Sequence, residues 1–256
     1  MKLINSFLIA FSMYSKIPMP KADWEKENMK YVMCFFPWVG AVIGALFTLW
    51  GSLGSLLPIS HTLYIILLLL IPVTVTGGIH LDGLMDTADA ISSWQPRERR
   101  LEILKDPHTG AFGVMACVVY FFIYYGFLTE LSVKQIPLVS FGFFLSRALS
   151  GYAIASFPCA KDSGLAATFS QGADKKRAKL LLLIQIIACG ALMILKSPLA
   201  GTTAVSAALL CFLAYYHMAK KKFGGITGDL AGWFLQLCEL CILAGVVAVQ
   251  TAEKFL

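Results

Sequence analysis

Asp82, Asp86 and Asp89 stand at i, i+4 and i+7 within the run GGIHLDGLMDTADA, residues 77–90. On a helix of 3.6 residues per turn this spacing puts three carboxylates on one face over two turns. Like charges at i, i+4 destabilise a helix, and the nearest arginines, Arg97, Arg99 and Arg100, lie beyond Pro96. Oxygen-only donors of this kind suit a hard divalent ion, Mg²⁺ or Mn²⁺, which completes its shell with substrate phosphate. The plain alternative is a solvated surface helix. Against it, the intervening residues are apolar or small (Leu81, Gly83, Leu84, Met85, Thr87, Ala88), and the run follows an apolar stretch directly.

Residues of a second kind surround the acids. Arg99, Arg100 and Lys105 follow in the same polar loop, and Lys161 stands in a later one. Arginine forks and lysine ammoniums bind phosphate, although topology alone also places basic residues beside a membrane. Gly77, Gly78, Gly83 and Gly228 would let a backbone or a phosphate approach closely. His80 sits about 200° around the helix from Asp82, so it need not share the acidic face; it reads as a base, a phosphate donor or a satisfied interface histidine. Asp229, at the entrance of the last apolar run, reads equally as a helix cap or a further metal ligand. Acids that hold a metal beside bases that hold phosphate indicate phosphoryl or nucleotidyl transfer.

The elements that must position these residues are membrane helices. Of 256 residues, 58% are hydrophobic and 14% charged, against roughly 25% charged in a soluble domain. Mean hydropathy is +0.73. A water-soluble globule is excluded. Blocks such as YIILLLLI (64–71) lack the alternation of a membrane β-barrel. Apolar runs predict spans at Tyr31–Leu57, Thr62–Ile79, Ala111–Thr129, Ile136–Phe157, Leu180–Leu195, Pro198–Met218 and Leu230–Gln250. The expected fold is an all-α, polytopic bundle of about seven transmembrane helices forming one domain over 1–256. Residues 1–20 form an interfacial or re-entrant segment in this reading, and residues 77–113 the acidic motif with its cytoplasmic loop. Pro37 and Pro72 are expected to kink their helices without stopping them.

The basic residues test this layout independently. The segments outside the spans hold, in chain order, five, none, four, one, five, one, three and one Lys or Arg. The alternation is complete, and the positive-inside rule puts the N-terminus and the large polar loops in the cytoplasm and the C-terminus outside. The net charge of +6 therefore reflects topology, and no basic cluster interleaved with aromatics indicates nucleic acid. Arg147 and Glu239 fall inside spans, where charges are costly and are usually functional or mutually paired. The seven cysteines are odd in number and mostly within apolar runs, so they are read as unpaired.

With those motifs in hand, the chain resembles the cobalamin synthase family, the adenosylcobinamide-GDP ribazoletransferases. The resemblance rests on residues 77–90, on RRLEILKDPHTGAFGV (99–114), on the Pro-x-Ala-Lys-x-x-Gly-Leu segment (158–165) and on GGITGD (224–229) followed by Glu239. SKIPMP (15–20) and FFPWVGAVIG (35–44) add weaker echoes. The family usually carries a Tyr-Ala-Arg-like run where Cys159, Ala160 and Lys161 stand, and often a glycine at Ala90; lysine lacks the bidentate fork of arginine. The resemblance implies Mg²⁺-dependent transfer of the adenosylcobinamide-phosphate group from adenosylcobinamide-GDP to α-ribazole or its 5′-phosphate, with release of GMP. It implies a multi-pass protein of a bacterial or archaeal cytoplasmic (inner) membrane, with lipid around it, a cytoplasmic active site and room for a homo-oligomer. The expected catalytic residues are Asp82, Asp86, Asp89 and His80. Substrate phosphates fall to Arg99, Arg100, Lys105, Lys161 and the four glycines, and the metal to Asp82, Asp86, Asp89 and Asp229. A CDP-alcohol phosphotransferase also sets aspartates on one membrane-helix face, but with Ala-Arg shortly after its Asp-Gly, where Leu84 and Met85 stand here. A cation transporter would place its acids deep within spans.

Overall fold

The computed structural model describes residues 2–161, Phe169 and 174–255. Residues 162–165 of the Lys161 motif lie outside the described residues. Ten α-helices are described, in this order: α1 (Lys2–Tyr14), α2 (Val32–Leu53), α3 (His61–Thr76), α4 (Ile79–Ser92), α5 (Arg97–Ile103), α6 (Ala111–Glu130), α7 (Ile136–Ser156), α8 (Lys175–Lys196), α9 (Pro198–Phe223) and α10 (Gly228–Ala252). α2, α6, α7, α8, α9 and α10 are long and apolar enough to cross a bilayer, and α3 with α4 makes a bent seventh candidate. The chain is a multi-pass helical membrane protein. Its spans match the hydropathy reading to within a few residues, and α9 extends far enough to include Lys220, Lys221 and Lys222 as helical residues.

Local chemistry explains the boundaries. Ser60 caps α3 by accepting the Leu63 N–H, and Asp174 caps α8 through Arg177. Pro37 and Pro72 sit inside continuous helices, as expected. The apolar run to Ile79 is not one helix, however. Gly77 and Gly78 adopt φ of 65° and 80°, a left-handed conformation that residues with a Cβ enter at a cost, and α4 leaves α3 at 91°. The acidic motif therefore folds across the end of the bundle.

α7 forms the centre of the bundle. Gly40 and Gly44 of α2 face the backbone of Phe143 and Ser140 so closely that a Cβ at either position would clash, the small-residue contact by which membrane helices approach without a hydrophobic drive. On its other side Arg147 donates from Nη1 to Oε1 of Glu239 in α10 at 2.7 Å, and the two side chains are 1% and 3% exposed. Ser146 adds a hydrogen bond to the same oxygen at 3.0 Å, and the Phe143 carbonyl accepts from Arg147. The two intramembrane charges are thus a desolvated pair with further partners, the arrangement a buried ion pair needs. All seven cysteines are free thiols.

α1 has 13 residues, about 20 Å of helix and short of a bilayer's roughly 30 Å core. It packs on α2, and the chain beyond it is tied to the end of α3 by Lys16 N–H to the Val75 carbonyl at 2.7 Å. That strap brings Tyr14 to the same end of the molecule as α4.

Candidate active site

Two glycine contacts assemble the site. A Cβ on Gly83 of α4 would lie 2.6 Å from the Asp229 carbonyl oxygen, and one on Gly232 of α10 would lie 3.1 Å from that of His80. α4 therefore crosses the first turn of α10 with backbone against backbone, and Asp229 comes beside Asp82 and Asp86 although more than 140 residues separate them in sequence. Thr227 caps α10, its Oγ1 accepting the Leu230 N–H at 3.2 Å. Of the two roles open to Asp229 in sequence, the cap is thus taken, and its carboxylate lines a cavity with Asp82, His80 and Gly228.

The acids differ in environment. Asp82 is exposed at the rim, and Asp86 is half-buried. Burial, reinforced by the like charges of Asp82, Asp229 and Asp89, pushes the Asp86 carboxyl up to about 7. Asp89 is already engaged: Oδ2 accepts the Gly110 N–H and Oδ1 the Gly113 N–H, each at 2.8 Å. It ties α4 to the N-terminus of α6, where a carboxylate is favoured by the orphan N–H groups and the helix dipole. Among the described residues, no three His, Cys, Asp or Glu side chains are already gathered tightly enough to grip one ion. The donor chemistry nevertheless fits a hard divalent cation, because Asp82, Asp86 and Asp229 repel one another and none of them has a salt-bridge partner among the described residues.

The basic residues form the complementary side. Pro158 and Ala160 pair with Ile226 through two backbone hydrogen bonds of 2.9 Å, which lays the Lys161 segment beside the GGITGD turn. Lys161 donates to the Leu101 carbonyl of α5. Burial and the neighbouring Lys105 hold its ammonium below the usual lysine range, while Asp229 acts in the opposite sense. Lys161 therefore stands between a second cation and the acids. Arg100 reaches the Lys222 carbonyl at 3.4 Å, docking α5 on α9. Arg99 pairs with Glu102 at 2.6 Å on the surface. Arg97, which the sequence did not single out for phosphate, lies against Gly224.

Of the glycines, Gly77 and Gly78 make the bend, Gly83 is consumed by helix packing, and Gly228 opens on the cavity with no atom within 4 Å of a Cβ. His80 is 4% exposed, and its Nε2 has no hydrogen-bond partner among the described residues, so it is not a satisfied interface histidine. The cavity also takes Tyr14, Phe36, Ser150, Ile154 and Leu235 from α1, α2, α7 and α10. Of these five only Phe36 stood in a motif that the sequence singled out, FFPWVGAVIG, and none was marked as a site residue.

The sequence model of the cobalamin-5-phosphate synthase (CobS) family matches residues 6–247. The chain belongs to that family. Curated relatives named adenosylcobinamide-GDP ribazoletransferase include one from Lachnoclostridium phytofermentans, 48% identical over 97% of this chain and 95% of its own length. Others come from Clostridium botulinum (strain Alaska E43), 33% identical over 93% of this chain and 95% of its own, and from Clostridium perfringens (strain 13), 34% identical over 96% and 98%. No solved structure matches. The CobS match takes in every element that lines the cavity.

Proposed function

We propose that this chain is an adenosylcobinamide-GDP ribazoletransferase of a cytoplasmic membrane, Mg²⁺-dependent and with its site on the cytoplasmic side. It joins α-ribazole, or its 5′-phosphate, to the adenosylcobinamide-phosphate group and releases GMP. The observation that carries the reading is the juxtaposition of three carboxylates without salt-bridge partners (Asp82, Asp86, Asp229) with the Lys161–Lys105 pair. Such a site is complementary to a cation bound to a diphosphate and to little else.

In the reaction, the riboside hydroxyl oxygen forms a bond to the cobinamide-linked phosphorus. The bond from that phosphorus to the bridging oxygen breaks, the bridging oxygen leaves with GMP, and the hydroxyl proton passes to solvent. Asp82, Asp86 and Asp229 would hold Mg²⁺, which supplies charge neutralisation at the diphosphate when bound. Lys161 and Lys105 hold the phosphate oxygens from the other side and orient the reacting phosphorus. Asp89 keeps α4 and α6 together, so that Asp86 is presented at a fixed place. The Gly228 turn lets the diphosphate approach the start of α10, where backbone N–H groups point outward. The charges inside the long spans, Arg147 and Glu239, neutralise each other, which removes the intramembrane acid that a cation transporter would use.

Purified protein given adenosylcobinamide-GDP and α-ribazole should release GMP in step with cobalamin formation. EDTA should abolish both, and Mg²⁺ or Mn²⁺ should restore them. Turnover that survives exhaustive chelation would overturn the metal assignment, and cation flux in liposomes without GMP release would overturn the enzyme.

A further inference from the structure

The cavity at the acidic rim continues inward as a slot whose chemistry differs from that of its mouth. Its walls are aromatic and aliphatic. His80 stacks on Tyr14 with ring centroids 6.3 Å apart and meets Phe36 edge-on at 5.8 Å, while Ile154 and Leu235 close the far side. Inward of the rim, three of the lining residues carry a polar group, Tyr14, His80 and Ser150, and two of those groups, His80 Nε2 and Ser150 Oγ, lie buried just behind the surface. His80 and Ser150 are 4% and 0% exposed, and neither atom has a hydrogen-bond partner among the described residues. Buried polar groups without partners are costly, and native structures keep few of them unless something binds there.

The volume narrows the choice of occupant. The cavity holds about 220 Å³, below the roughly 300–1,000 Å³ of clefts that take a whole drug-sized ligand. It admits one ring system and neither a corrinoid nor a nucleoside diphosphate. Nothing charged lines it inward of Asp82 and Asp229. A guanine would bury several N–H groups and a carbonyl against the few polar groups of Tyr14, His80 and Ser150, leaving some of them unsatisfied. A bicyclic base with apolar edges and one free ring nitrogen leaves none.

Resting on the transferase reading, we propose that this slot is the acceptor subsite: it takes the benzimidazole-type base of the riboside against the wall that Tyr14, Phe36 and His80 form together, and Ser150 Oγ or His80 Nε2 hydrogen-bonds the free ring nitrogen. The sugar then points outward past Gly228, which carries its hydroxyl to the diphosphate held at Asp82 and Asp229. Ser150 and His80 act here as specificity-determining residues that touch the acceptor.

The test is a KM measured separately for each substrate, with direct binding of α-ribazole by equilibrium dialysis. Ser150→Ala and His80→Phe, which preserve most of the packing, should raise the riboside KM at least about tenfold and weaken dialysis binding to match, with the KM for adenosylcobinamide-GDP unchanged. Ser150→Leu, which fills the slot, should abolish riboside binding while leaving adenosylcobinamide-GDP binding intact. A rise confined to the KM for adenosylcobinamide-GDP, or no change in either, would overturn the assignment and leave the slot to water. If the wild-type protein binds α-ribazole but forms no cobalamin, the transferase reading fails and the slot stands. If it turns over and the variants do not discriminate, the reverse holds.

Discussion

Asp89 fastens α4 to Gly113 at the start of α6, its Oδ1 accepting the Gly113 N–H at 2.8 Å while Oδ2 takes that of Gly110. The middle acid of the motif's apparent stripe, Asp86, and the first, Asp82, have no such partners. Three aspartates that look equivalent in sequence therefore have at least two roles.

That difference predicts a split between stability and activity. Asp89→Asn keeps one acceptor and sets an amide N–H against a backbone N–H, so it should cost about 1–2 kcal/mol of stability as well as turnover. Asp82→Asn, exposed and unpaired, should stay within roughly 0.5 kcal/mol of the parent yet lose at least ~10²-fold in rate with its ion ligand. Thermal unfolding in detergent beside GMP-release assays would check both, and equal destabilisation by the two variants would contradict the capping role.

Gly83 is the contact on which the meeting of α4 and α10 depends. Gly83→Val should push α4 off the Asp229 backbone, costing about 1–3 kcal/mol and roughly tenfold to a hundredfold in kcat. Gly126→Ala in α6 meets no atom within 4 Å and should be neutral or slightly stabilising, which makes it the control for any general effect of removing glycine.

The Arg147–Glu239 pair should behave as a unit. Arg147→Met strands a buried carboxylate and should cost about 3–5 kcal/mol, whereas the double variant Arg147→Met, Glu239→Met should recover most of that loss. The readout is a double-mutant cycle on unfolding in detergent. Additive losses would mean that each side chain works alone.

A reporter that is active only outside the cytoplasm, fused after Lys254, should be active, and the same reporter placed in the Pro96–Gly110 loop should be silent. The opposite pattern would invert the orientation and put the acid cluster on the outer face.

The sequence by itself was enough for the class of protein, the family and every span position but that of the run to Ile79, which breaks at Gly77 and Gly78. Those depend on composition, on run length against bilayer thickness and on contiguous motifs, all of which are properties of short stretches of chain. The acid spacing at Asp82 and Asp86 was legible for the same reason: helical periodicity turns separation in sequence into a shared face. What only the tertiary structure decided concerns contacts between stretches far apart in the chain. Gly83 reads as a possible phosphate approach until Asp229 is seen against it, and the part Asp89 plays in joining α4 to α6 is invisible until Gly110 and Gly113 are seen against its carboxylate. Tyr14, Phe36 and Ser150 look like any residues of apolar helices until four elements close around His80. Helical periodicity says which face a residue shares; it carries no record of which helix will be packed against that face, because in a membrane that choice rests on close backbone approach at small residues and on pairing of buried polar groups.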